Sequence, residues 1–338
     1  MRTRSLLLPA LALALGCVMA AQPSPLSWPR TGEGAWTYAW QPGWMNLPDG
    51  VETGNTHGCV ALDSAGRVYL NTDSARAVMV FAADGTFLRA FGKDLARGLH
   101  GMEITGEGTD ERLWLTHTGR HEVLQATLEG EILWRLPWPE ESGLYGSAGE
   151  YKPTSVAVAP DGRFWVADGY GKGWVHAYSP DRKWLHAFGG PGKEPGKFRT
   201  PHGITWDEEI GRLVVADREN RRLQVFTPDG QLDRVVDSDL RRPCHVAAGP
   251  LGWAVAELAG RVSLLDREGN AFARLGDQPD PALRAKNGIP QEKWQDGEFL
   301  SPHCAAWGPG GDVWVVDWNA KGRLTRLVRQ PSVSVRLR

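Results

Sequence analysis

Apolar residues in this chain fall in short alternating runs rather than in the i, i+3, i+4 stripes of an amphipathic helix. Val68-Tyr69-Leu70, Leu113-Trp114-Leu115, Phe164-Trp165-Val166, Leu213-Val214-Val215, Gly252-Trp253-Ala254 and Val313-Trp314-Val315 are such runs. A comparable run precedes each, as in Val60-Ala61-Leu62, Val156-Ala157-Val158 and Ile204-Thr205-Trp206. Asp84-Gly85 and Asp229-Gly230 sit between further apolar stretches and predict hairpins. The pattern is six copies of one unit. Their opening positions are His57, His100, Thr154, His202, His245 and His303, spaced by 43, 54, 48, 43 and 58 residues. A period of about 40–50 residues with several short strands per copy predicts an all-β, six-bladed β-propeller. The last copy stops after Leu324 to Val328, and the segment Ala35 to Trp40 supplies the strand it lacks. That segment is predicted to join the last blade and close the ring, which removes an open sheet edge. Two polar stretches, 138–152 and 276–298, interrupt the repeat and are predicted as loops over a face.

Composition sharpens this picture. With 41 Gly and 23 Pro in 338 residues, turns are frequent and long helices disfavoured. A single ring over 22–338 therefore replaces the two domains that length alone suggests. Four of the 16 Trp occupy one equivalent position, in the second strand of their copies. They are predicted to wedge between blades rather than stack on a ligand. A formal net charge of −2 offers no basic face for nucleic acid. The expected partner is a small molecule or peptide, and the expected state a monomer.

The first residues read as a targeting segment. Arg2 and Arg4 precede an apolar core from Ser5 to Leu15, and small residues end at Ala20-Ala21. This predicts a signal peptide over 1–21, and so a secreted or periplasmic protein. Ala14-Leu15-Gly16-Cys17 offers the alternative of a lipid anchor at Cys17. Cys59, Cys244 and Cys304 then remain, an odd number. They are expected as buried thiols, with one Cys244–Cys304 bridge as the alternative.

In an up-and-down blade the first strand starts, and the second ends, on the same face. The opening residues are thus predicted to share a rim with Asp73, His117, Tyr170, Arg218, Glu257 and Asp317. Five His in equivalent places around one axis can converge on a metal, and imidazole suits Zn²⁺, Fe²⁺ or Cu²⁺. His117, His121, His176 and His186 fall off this register and are expected at the surface or between blades.

These residues resemble those of the NHL-repeat propellers and, among them, the peptidyl-α-hydroxyglycine α-amidating lyases. Similarity is closest from Lys152 to Val236, through Val166-Ala167-Asp168-Gly169-Tyr170, Pro201-His202 and Ala216-Asp217-Arg218-Glu219-Asn220. It extends more loosely over 57–329. The resemblance implies a zinc-dependent carbon–nitrogen lyase that releases glyoxylate from an N-acyl-α-hydroxyglycine. It implies His100, His202 and His303 as metal ligands, Tyr170 as base and Arg218 as a cation beside it. His57 and His245 are additional to that pattern. The lyases carry an Asp after the third His, where it helps hold a structural Ca²⁺; Cys304 stands there in this chain, which leaves such a Ca²⁺ site without its carboxylate. Two other functions fit the sequence: a non-catalytic NHL-repeat binding propeller, and an Fe(II) oxygenase-like propeller that uses the extra His.

Overall fold

The computed structural model describes residues 25–331; the predicted signal segment and Cys17 lie outside them. Among the described residues six antiparallel sheets form, and within each the strands pair in meander order. The first strands of blades 1 to 6 are Val60–Leu62, Leu99–Thr105, Ser155–Val158, Pro201–Asp207, Pro243–Gly249 and Pro302–Trp307. Each abuts the first strand of the next blade, and that of blade 6 returns to blade 1, so they surround a central channel. The six-bladed propeller expected from the repeat is the fold observed.

The ring closes with N-terminal residues. Tyr38–Gln41 pairs antiparallel with Arg323–Arg329 of blade 6, and Arg30–Thr31 adds a fifth strand outside it. The strand is shorter than the predicted 35–40. Gly34–Trp36 turns instead as a short 3₁₀ segment, and Trp36 packs on Phe272 of blade 5 with ring centroids 4.3 Å apart.

The second-strand Trp residues are buried and span blade boundaries. Trp165 stacks on Trp206 of blade 4 at 5.5 Å and donates its indole N–H to the Pro228 carbonyl. Trp253 donates to the Asp207 carboxylate of blade 4 at 2.7 Å. Trp114 meets Phe164 of blade 3, and Trp314 meets Trp44. Burying such a ring stabilises by roughly 1.5–3 kcal/mol, and its N–H is satisfied where a partner exists.

Buried carboxylates end several second strands and fasten the loops that follow. Asp168 accepts from the Lys152 and Lys172 backbone N–H groups. Asp217 accepts from Arg199, Glu257 from Arg241, and Asp317 from Leu300 and Ser301. Glu257 and Asp317, predicted on the rim, are fully buried loop anchors. Cys59, Cys244 and Cys304 are buried free thiols, so the alternative Cys244–Cys304 bridge is not formed. Among the described residues no helix is long and apolar enough to cross a membrane.

Candidate metal centre

In blades 2, 4, 5 and 6 a residue reaches the channel because the first strand bulges. Pairing of first and second strands slips between Leu99 and Met102, Pro201 and Gly203, Pro243 and His245, and Pro302 and Cys304. His100, His202, Cys244 and His303 lie in these slips. A bulge leaves its extra residue unpaired and re-aims its side chain. Glycine follows three of the His, and after His100 and His202 the reason is the carbonyl of the neighbouring blade. A Cβ on Gly101 would meet the Thr154 carbonyl at 2.6 Å, and one on Gly203 the Cys244 carbonyl at 2.6 Å.

That close approach of neighbouring blades orients the imidazoles. His100 Nδ1 bonds the Thr154 carbonyl at 2.7 Å, His202 Nδ1 the Cys244 carbonyl at 2.8 Å, and His303 Nδ1 the Gly58 carbonyl at 3.0 Å. A carbonyl only accepts, so each Nδ1 carries the proton and each Nε2 presents a lone pair. Carbonyls behind imidazoles in this way set the tautomer and direction of metal-binding His. The three ring centroids form a near-equilateral triangle, 4.7, 4.9 and 4.8 Å on a side. His57 joins them at 5.1 Å from both His100 and His303. Donor atoms of His57, His100 and His303 lie within 4.8 Å of one another, as do those of His202, Cys244 and His303. His303 is common to both sets, and its Nε2 is buried without a partner. This unsatisfied atom and the converging lone pairs fit a divalent metal that takes nitrogen ligands.

Tyr170 enters from the loop after the second strand of blade 3. Its hydroxyl lies 2.8 Å from His202 Nε2, 3.3 Å from His100 Nε2 and 3.4 Å from His57 Nε2. Arg218, one residue beyond Asp217, donates to the same oxygen at 3.3 Å. Burial pushes the Tyr170 hydroxyl up to about 12, while Arg218 pulls it down. Burial opposes the Arg218 charge, yet Cys244, Tyr170 and Glu219 hold its pKa above the ordinary value. Burial also holds His57, His100, His202 and His303 below the usual imidazole range, so the rings are neutral.

The structure thus brings together His57, His100, His202, His303, Tyr170 and Arg218. It separates His245, which makes none of these ring contacts and groups with Cys59 and Cys304. The residue in register with His202 and His303 is Cys244, because all three follow a proline: Pro243, Pro201 and Pro302. His245 stands one residue past the anchor register on which the sequence pattern places it, and the prolines are the signal that marks the true register. Trp318 and Arg242 were also missed. Both line a cavity of about 270 Å³ with His57, Tyr170, Arg218 and His303. Trp318 follows Asp317 just as Arg218 follows Asp217, which is the signal for it. A larger groove of about 690 Å³ begins beside Tyr170, lined by Gly169, Gly171, Trp174, Phe198 and Glu219 among others.

Of the off-register His, His117 and His176 are buried rather than superficial. His176 bonds Tyr145 of the 138–152 loop at 2.7 Å, and His121 bonds the Tyr151 carbonyl of that loop. The 276–298 stretch reaches the site, where Ala285 lines the smaller cavity.

Similarity to known proteins bears on the family and the fold. The NHL repeat model matches residues 198–226. NHL repeat-containing protein 3 of Homo sapiens is 31% identical over 247 residues, covering 62% of this chain and 70% of that protein. The chain spans about half, 52%, of the length of the Mus musculus counterpart. The probable peptidyl-alpha-hydroxyglycine alpha-amidating lyase of Caenorhabditis elegans is 28% identical over 155 residues, covering 45% of this chain and 43% of that protein. A streptogramin B lyase structure superposes with a TM-score of 0.57 at 16% identity, over 89% of this chain and 98% of that one, a likeness of fold alone.

Proposed function

The chain belongs to the NHL-repeat family of β-propellers, and on that premise we propose that it is a metal-dependent lyase. Its substrate is an N-acyl-α-hydroxyglycine-like carbinolamide, and its products are an amide and glyoxylate. One observation carries the reading: a half-buried tyrosine whose hydroxyl is in contact with three imidazole Nε2 atoms and an arginine.

A Zn²⁺ held by His100, His202 and His303 would stabilise negative charge on the substrate oxygen and lower the Tyr170 pKa, as a nearby cation does. Tyr170 takes the proton of the substrate hydroxyl. The oxygen's electron pair forms the aldehyde of glyoxylate, and the C–N bond breaks with its pair on nitrogen. Tyr170 returns the proton to that nitrogen, completing the amide, so no other reactant is consumed. Arg218 supports the ionised tyrosine and is placed to pair with the substrate carboxylate. Glu219 holds Arg218 at 2.9 Å and Arg242 at 2.6 Å, which fixes both guanidinium groups by the cavity.

Glyoxylate release from an α-hydroxyhippurate-type substrate tests the reading. Metal-loaded protein is expected to be active. Tyr170→Phe is expected to lower kcat by about 10²–10⁴-fold, the usual weight of a general base, with bound metal unchanged. No glyoxylate from fully metallated protein would remove the lyase. The similarity to NHL repeat-containing protein 3 favours a second reading, a binding propeller that uses the groove beside Tyr170. Protein without stoichiometric metal would favour that reading.

A further inference from the structure

We propose a second metal site, separate from the His centre, in which Cys59, His245 and Cys304 hold a thiophilic divalent ion such as Zn²⁺. Three strands meet there. Cys59 precedes the first strand of blade 1, His245 lies in that of blade 5, and Cys304 in that of blade 6. Their donor atoms all lie within 4.8 Å of one another. Zinc–sulfur and zinc–nitrogen bonds of about 2.3 and 2.0 Å in a tetrahedral site put donors a little under 4 Å apart, so only small inward shifts are needed.

The state of each donor suits this role. Cys59 and Cys304 are buried and unbridged, 4% and 0% exposed. The Cys304 sulfur makes long backbone contacts, 3.9 Å to the Val60 carbonyl and 3.8 Å to that of Ala305, and neighbours the Cys59 thiol. His245 Nδ1 is buried without a hydrogen-bond partner. Leaving such a nitrogen unpaired costs roughly 1–3 kcal/mol, which a metal bond would remove.

Charge selects the ion. Two thiolates and a neutral imidazole sum to −2, so a divalent ion makes the buried cluster neutral. A monovalent ion would leave a net charge buried, which is costly. Sulfur donors also exclude Ca²⁺ and Mg²⁺, which take oxygen. A cavity of about 210 Å³, lined by His245, Val60 and Ala305, has room for a water as fourth donor. The site stitches blade 6 to blade 1 across the ring closure, which points to a structural role.

Cobalt(II) is the probe. Full-length protein purified under reducing conditions and loaded with Co²⁺ is expected to show thiolate-to-cobalt charge-transfer absorption, which an all-imidazole centre cannot produce. The band should vanish in Cys59→Ser and Cys304→Ser. It should persist in Cys244→Ser and in the double variant His100→Ala, His202→Ala. Persistence in that double variant separates this site from the lyase reading, which can fail on its own. Should the Cys variants not fold, His245→Ala must weaken Co²⁺ retention against a chelator at least tenfold. Absence of the band, its loss in Cys244→Ser, unchanged retention in His245→Ala, or a Cys59–Cys304 disulfide in the folded protein would each overturn the proposal.

Discussion

At the scale of single residues, environment decides what each polar group does. The anchor His are held neutral, and their lone pairs are aimed inward by carbonyls from the neighbouring blade. Candidate residues at the rim could be named from sequence, because Tyr170 and Arg218 follow the ends of second strands. Their convergence on one oxygen could not, since it depends on side-chain direction across three blades. Glu103 shows the same dependence. It faces the central channel beside Met102 and Ile104, and burial pushes its carboxyl up to about 8, against the opposing pull of the Val158 N–H. An unfolded glutamate titrates near 4.3. Between those values the unfolded chain gives up this proton while the folded chain keeps it. The stability tied to Glu103 is therefore fully present below about pH 4.3 and lost as pH rises toward 8. Glu103→Gln keeps the shape and removes the titration. It is expected to raise the Tm at pH 8 and leave it nearly unchanged at pH 4. Equal shifts at both pH values would contradict this account.

At the scale of the element, a blade is a hairpin ladder, and in blades 3 to 6 a buried carboxylate holds its rim. Asp217 accepts from the Arg199 N–H at 2.7 Å, and from Asn220 and Arg222 at 2.8 Å each. Those bonds fasten both segments flanking Arg218. Asp217→Ala would strand the Arg222 charge, which is itself buried. The expected loss is about 3–5 kcal/mol in denaturant unfolding, because removing one partner leaves an uncompensated buried charge. Arg163→Ala is the control. Its partner Asp161 is exposed, so the expected loss is below about 1 kcal/mol. Comparable losses would show that the rim carboxylate is not the fastening. Strand runs and Asp-Gly turns were legible from alternation. The bulges were not, because one extra residue leaves the hydrophobic pattern almost unchanged while reversing which way a side chain points.

At the scale of the whole molecule, stability depends on closing the ring. Tyr38–Gln41 covers the edge of Arg323–Arg329, and Tyr38 and Trp40 are almost wholly buried. A chain beginning at residue 42 would expose that edge and the apolar surface between blades 5 and 6. It is expected to aggregate, or to unfold at a clearly lower temperature, by size-exclusion chromatography and thermal melting. A monodisperse chain with an unchanged Tm would contradict the role given to the N-terminal strand. The sequence by itself determined the repeat, the number of blades, the Trp wedges and the closing strand. These follow from local periodicity, which any stretch of chain carries within itself. Only the tertiary structure decided which anchors meet. Cys59, His245 and Cys304 come together from blades 1, 5 and 6, apart from the cluster of His57, His100 and His303. The physical reason is that a strand presents alternate faces with a period of two, so a single-residue bulge, set by contact with the neighbouring blade, decides which side chain enters the channel.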